Sequence, residues 1–183
     1  MKDELIPEIM NRKSSLSFSS EKITDNEIKI LIEAAKWAPS SRNMQPWKVI
    51  FVSSDSNSYN SLFDSLSESN KEWAEECTLF AVFCVIDDKR LNKKFLDVGY
   101  AGQNMMLQSE RLKIDTHPMG GWDESKVKSS LEIPNENHVV FILAMGKKGD
   151  QDNLEGNLKE RNNRERVRNS NEENFSFDVW NFS

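Results

Sequence analysis

Apolar residues along this chain follow two periodicities, and the changes from one to the other mark out its elements. Ile28, Leu31, Ile32 and Ala35 recur at helical spacing. Thr24 precedes them in TDNE, a capping box in which Glu27 reaches back to the cap. Pro39 closes the helix, because the residue before a proline is pushed out of the α region. KVIFVS, from Lys48 to Ser53, reads as a short buried strand. Tyr59, Leu62, Phe63 and Leu66 mark a second amphipathic helix, and LFAVFCVI, from Leu79 to Ile86, a buried strand. Residues 93–112 predict a long helix whose stripe holds Gly99, Ala101 and Gly102, small enough to let another helix approach closely. Asp123 caps a helix containing Val127 and Leu131, and HVVFILAMG, from His138 to Gly146, is a third buried strand. Helices and strands alternate, but their connections are too irregular for a doubly wound sheet, which leaves an α+β layered domain.

From Lys147 the pattern fails. KKGDQDNLEGNLKERNNRERVRNSNEEN has almost no apolar residue and cannot build a core. It ends in FSFDVWNF, which alternates as a strand does. Two readings of this arm stand: a disordered tail, or a segment that crosses open surface and docks on a partner subunit. The expected organisation is one domain over residues 1–183, with 147–183 as an extended C-terminal arm.

Composition narrows the function. A length of 183 residues favours a single domain that needs no staples. A net charge of -6 and a pI near 5.1 argue against nucleic acid or an anionic membrane as partner. The longest apolar runs fall far short of the roughly 20 residues that span a bilayer. MKDELIPEIM has no apolar leader, and the two cysteines, Cys77 and Cys84, fit no zinc spacing. A reduced, cytoplasmic chain is expected. His117 and His138 are too few for a multi-histidine metal site, and His138, opening a strand, reads as structural. Neither a dinucleotide nor a nucleotide-triphosphate glycine loop is present.

Four stretches carry chemistry. WAPSSRNMQPW, from Trp37 to Trp47, is a connection rich in hydrogen-bonding groups, with Trp37 and Trp47 expected to anchor it in apolar packing. NRKSS sets Arg12 and Lys13 beside two hydroxyls, suited to a phosphate. RERVR sets Arg166 and Arg168 two apart, on the same side if extended. These two arginines fit either a phosphate site or a solvated charge run. THPMGGWD lets backbone approach a flat ligand, or is a tight turn before the Asp123 cap.

Taken in order, RKSSLSF, WAPSSRNMQPW, NKEWAEECT, DVGYAGQNMMLQSERL, THPMGGWD, IPNENHVVFILAMGKKGD and RVR resemble the nitroreductase family of flavin-dependent oxidoreductases, from about residue 7 to about residue 170. The resemblance implies a central antiparallel sheet between helical layers and an intertwined homodimer with an extended C-terminal arm. It implies two FMN sites at the subunit interface, NADH or NADPH as electron donor, and ping-pong reduction of a small acceptor such as a nitroaromatic or a quinone. Catalysis then belongs to flavin N5 and to no side chain. By motif, Arg12, Lys13 and Ser14 hold the FMN phosphate and ribityl chain. Pro39, Ser40, Ser41, Asn43 and Gln45 reach the flavin from the opposite subunit. Asn70 lies by the pyrimidine side of the ring, with Lys13 also a candidate there. Pro118, Met119, Gly120 and Gly121 pass under the ring with backbone N–H groups towards N5 and O4. Arg166 and Arg168 return to the phosphate.

The chain departs from the family pattern in two places. Leu16 stands where a basic residue is frequent, and a charged hydrogen bond lost there costs roughly 1.5–3 kcal/mol, or about tenfold or more in affinity. Ser170 and Asn171 replace the usual proline and leucine after the R-x-R. Two other readings share the fold: a specialised flavin enzyme, dehalogenase-like or flavin-modifying, and a non-catalytic member that binds flavin or a partner.

Overall fold

The computed structural model describes residues 4–88, 90–180 and 182. The first three residues of the MKDELIPEIM stretch, and Asn181 of the FSFDVWNF stretch, lie outside them. Four strands form one antiparallel sheet in the order β1-β2-β4-β3: β1 Lys48–Ser53, β2 Leu79–Ile86, β3 Ile114–Met119 and β4 Asn137–Lys147. The helices are α1 Pro7–Asn11, α2 Asp25–Lys36, α3 Tyr59–Asp64, α4 Glu68–Ala74, α5 Leu91–Arg111, α6 Glu124–Ser130, α7 Gly156–Asn163 and α8 Asn171–Asn174. The expected α+β layering is therefore present.

The two central strands are apolar on both sides because each side meets a core. Phe80, Val82 and Cys84 of β2 and Ile142 and Ala144 of β4 pack with Leu62 of α3, Trp73 of α4 and Val127 of α6. Leu79, Ala81, Phe83 and Val85, with Leu143 and Met145, face Leu31 of α2 and Val98, Ala101 and Met105 of α5. Thr24 makes the capping box with Glu27, and Asp123 accepts from the Lys126 N–H to cap α6. Both cysteines are buried and free. Burial pushes the Cys77 thiol up to about 12 and Cys84 to about 11, so neither is a nucleophile at neutral pH.

The structure corrects several expectations. KVIFVS is an edge strand in which only Val52 is buried, since β1 pairs on one side alone. Ile32 turns out of the α2 core face and is exposed. THPM is not a turn: Ile114–Met119 is a strand at the opposite edge, where Pro118 leaves no ladder partner short of a donor. Another helix does approach α5: α2 packs on it, with Ala101 against Leu31 and Ala35, but the two glycines are not at that contact. A Cβ on Gly102 would collide with the Phe141 ring of β4, and one on Gly99 would meet nothing within 4 Å. The arm divides into two parts. Leu154 and Leu158 pack on the α3–α4–α6 side of the sheet. Phe175, Phe177, Val179 and Trp180 are exposed and, among the described residues, form no strand.

Candidate functional site

The free edge of β3 gathers most of the motifs. The chain leaves α1 and runs beside β3, pairing Ser14 with Thr116 in a parallel bridge before turning into the core at Leu16 and Phe18. This leaves Arg12 at one end of the edge. Arg166 and Arg168 return to it from the far end of the chain and lie close enough to repel its charge. Burial, then those two cations, pull the Arg12 guanidinium below its ordinary value, with Glu110 opposing. Arg166 Nη1 donates to the Met10 carbonyl at 2.6 Å, which fixes the tail arginines against α1. Beside them opens a cleft of about 560 Å³ lined by Lys13, Lys113, Lys148 and Arg166 against Glu110 and Asp115. Burial, and then Asp115, raise the Glu110 pKa, which weakens the acidic side of that balance. Like charges brought together from distant positions cost free energy unless an anion offsets them.

Lys13 lines this cleft, but its ammonium is engaged elsewhere. Its ammonium donates to Gln151 Oε1 at 3.0 Å and Asn162 Oδ1 at 3.4 Å, at the base of the arm. Leu16 is a core residue in this chain, 5% exposed, so the position does not face the cluster at all.

About 16 Å along the same edge, five residues at strand rise from Thr116, the backbone passes Gly120 and Gly121. Gly121 is held closely: its carbonyl accepts from the Ser67 N–H at 3.0 Å and from Asn70 Nδ2 at 2.9 Å. A Cβ there would lie 2.7 Å from Ser67 Oγ, so a larger residue would have to turn that hydroxyl aside. Gly120 borders open space. Asn70, Pro118, Gly120 and Gly121 therefore lie along one edge strip with Ser14 and Arg12, whereas the Met119 side chain, 3% exposed, turns into the core.

The remaining motif lies elsewhere. Pro39, Ser40, Ser41, Asn43 and Gln45 belong to the α2–α5 side of the sheet. The loop is built under strain, with Arg42, Asn43 and Gln45 all at positive φ (56°, 55° and 47°). Such conformations persist only where surrounding contacts enforce them, and they concentrate at functional sites. The enforcing contacts are visible. Asp97, buried in α5, accepts from the Ser41 N–H at 3.1 Å; Ser40 Oγ accepts from the Gln45 N–H at 3.0 Å; Gln45 Nε2 donates to Asn43 Oδ1 at 3.1 Å. Trp47 packs into the core, as expected. Trp37 does not: it is 79% exposed, with its indole N–H donating to Glu33. Its ring lies outward because the core face of α2 ends at Ala35 and Ala38.

Within one chain this loop and the Arg12 cluster do not meet. Ser41 is fixed at Asp97 and Arg12 lies by Glu110, thirteen residues or roughly 20 Å apart along α5. Asp97 carried no sequence signal beyond being an acid on an otherwise apolar helix face.

His117 lies between the two ends of the strip. Its ring stacks on Trp73 with centroids 3.9 Å apart, and Nδ1 bonds the Ser15 carbonyl at 2.8 Å. Burial lowers its pKa below 6.5, and the Ser15 bond opposes this. The unfolded chain therefore takes up this proton first as pH falls. The contribution to stability is complete above 6.5 and declines below it. Denaturant midpoints measured from pH 8 to 5 should fall more steeply in the wild type than in His117→Gln; equal slopes would remove His117 from the acid response.

Residues 9–83 and 70–147 match the Nitroreductase family. The YfhC protein of Bacillus subtilis, provisionally named an NAD(P)H nitroreductase, is 34% identical over 148 residues, covering 74% of each chain. The Bacillus subtilis protein named FMN reductase (NADPH) is 27% identical over 163 residues, covering 77% of this chain and 64% of its own length. Among solved structures, one described as an oxidoreductase containing FMN superposes with a TM-score of 0.87 at 23% identity, over 98% of this chain and 94% of that one. The fold, the motif order and the sequence match agree: this chain belongs to the nitroreductase family.

Proposed function

We propose that the protein is a cytoplasmic, single-domain FMN-dependent NAD(P)H oxidoreductase that works as a homodimer. It reduces small acceptors such as nitroaromatics or quinones by a ping-pong cycle. The observation that carries this reading is the convergence of Arg12, Arg166 and Arg168 at one end of a polar strip. A relative named FMN reductase (NADPH) and a structural neighbour described as containing FMN support it.

The strip fits FMN in charge and in order. Arg12, Arg166 and Arg168 would hold the phosphate and Ser14 the ribityl chain. Pro118, Met119, Gly120, Gly121 and Asn70 would line the ring. Lys13 would have to exchange Gln151 and Asn162 for the flavin. Bound FMN would take hydride from the nicotinamide and pass it to the acceptor. The chain's own part is positional. Asn70 and Ser67 fix the Gly121 carbonyl and so aim the neighbouring backbone, while the stacked Trp73 and His117 stiffen the strip behind it.

Pro39, Ser40, Ser41, Asn43 and Gln45 would come from a second copy. The surface such a copy would cover is apolar and open on the α2–α5 layer: Ile32, Trp37, Leu96 and Tyr100 are all exposed. The apolar tip of the arm is a second surface of the same kind. Exposed apolar side chains gathered on one surface are commonly sites of association.

Mass analysis of the cofactor released from purified protein should give FMN; stoichiometric FAD, or failure to take up added FMN, overturns the proposal. Varying nicotinamide and quinone together should give parallel double-reciprocal lines. Intersecting lines over a wide range would refute the shared site.

A further inference from the structure

The base of the arm is fastened to the core by a residue that the flavin also calls on. Lys13 lines the cleft beside Arg166, yet its ammonium donates to Gln151 Oε1 at 3.0 Å and to Asn162 Oδ1 at 3.4 Å. Gln151 opens the short turn Gln151–Asn153, and Asn162 belongs to α7. This contact lies on the α3–α4–α6 side of the sheet, where Leu154 and Leu158 pack. We propose that Lys13 is a latch: it holds α7 on the core of the flavin-free protein, and FMN binding draws it off and releases that helix. The proposal rests on the oxidoreductase reading above.

Three observations favour a latch over a permanent brace. The first is the acceptors. Both are neutral amide oxygens, and an anion is the stronger acceptor for an ammonium because charge then assists from both sides. Lys13 follows Arg12 directly in the chain, and it lines the cleft at the end of the edge where the arginines converge. A flexible lysine stem lets one ammonium serve either set of partners.

The second is what its departure leaves behind. Asn162 Nδ2 donates to Gln151 Oε1 at 3.3 Å, so that oxygen keeps a donor when Lys13 goes. This bond joins the arm to itself, whereas the Lys13 bonds join the arm to the core. Gln151 Nε2 is buried and, among the described residues, has no hydrogen-bond partner. An unmet buried donor carries a desolvation cost, which the docked arrangement bears and a looser one relieves.

The third is the helix that is held. α7 has eight residues, none of them buried, and no side-chain cap at its N-terminus. It starts at Gly156, which has φ 50° and open space around its Cα, as a hinge requires. Besides Asn162, it is held by Leu158 and by an Arg161–Glu72 pair at 3.9 Å. A helix this short does not persist in water unaided, and an ion pair so long contributes little. The chain is pinned on either side of it, by Leu154 in the core and by Arg166 on the Met10 carbonyl. α7 can therefore loosen without displacing the tail arginines. Coupling of this kind is reciprocal: if FMN loosens α7, a docked α7 weakens FMN binding.

Hydrogen exchange of residues 156–163, followed by mass spectrometry with and without FMN, tests the latch. Loading should speed exchange there at least threefold, although a bound ligand ordinarily slows it. Lys13→Met keeps the stem without the charge and should give the fast rate in both states. Gln151→Ala and Asn162→Ala combined should bind FMN about threefold or more tightly, because Lys13 no longer has to be taken from them. A purely structural role would weaken binding or leave it alone. The combined variant should fold, since it removes an unmet buried donor and places a better helix former in α7. FMN binding tighter in that variant, with faster α7 exchange in the loaded wild type, is the expected result. If FMN binds but α7 exchange is unchanged or slowed, or the combined variant binds FMN no more tightly than the wild type, the latch falls and the oxidoreductase reading stands. If FMN is not taken up at all, both fall.

Discussion

Replacing Arg12, Arg166 and Arg168 together with alanine should abolish retention of FMN while leaving the apoprotein folded. Each charged hydrogen bond to a phosphate contributes roughly 1.5–3 kcal/mol, so one loss is worth about tenfold to a hundredfold in affinity. The three act on one group and will not add fully, yet a loss of at least about a hundredfold is expected. Apoprotein stability should move the other way, or not at all. The three guanidiniums repel one another, and among the described residues the charge that opposes them on Arg12 is Glu110. Flavin fluorescence titration and thermal unfolding of the apoprotein separate the two effects. A fall in affinity under threefold would mean that the cluster does not hold the phosphate.

Gly149→Ala is expected to destabilise the whole edge that presents those arginines. A Cβ at this position would meet Phe18 N at 2.6 Å and Phe18 C at 2.7 Å, along with the Ser17 hydroxyl. Two of the three are backbone atoms, so no rotamer change relieves the contact. Phe18 is 1% exposed and pairs with Lys148, so the segment from Arg12 to Phe18 must move as a unit. Overpacking of this kind costs roughly 3 kcal/mol, or about 6–12 °C in Tm for a chain of this size. A Tm indistinguishable from that of the wild type would show that the two segments have room to part.

How much of this was written in the chain depends on whether a signal is local. The Thr24 capping box and the Asp123 cap were legible because they are local, and the two central strands because burial on both sides leaves an unbroken apolar run. The edge strand β3 was not. A single ladder asks little of IDTHPM, and a proline and a histidine mask what pattern there is. The pairing of Arg166 with Met10 and Arg12 spans most of the chain, so spacing shows that Arg166 and Arg168 act together but not where. Asp97 shows the limit from the other side: a buried acid on a helix reads as a solvated one until its partner, the Ser41 N–H, is placed. Trp37 was misjudged because a large ring suggests packing, and the surface it faces is one this chain does not cover.

That uncovered surface bears on the central claim, that a complete site needs two copies of the chain. Mixed dimers test it most directly. One chain carries Arg12→Ala and a differently tagged chain carries Asn43→Ala, and the heterodimer is purified and titrated with FMN. If Arg12 serves one site while Asn43 of the same chain serves the other, one site holds both lesions and the other holds neither. The account predicts about one full-affinity FMN per heterodimer, although both parent homodimers are impaired. Heterodimers with no more affinity than the parents would place Asn43 at its own chain's site and contradict the account.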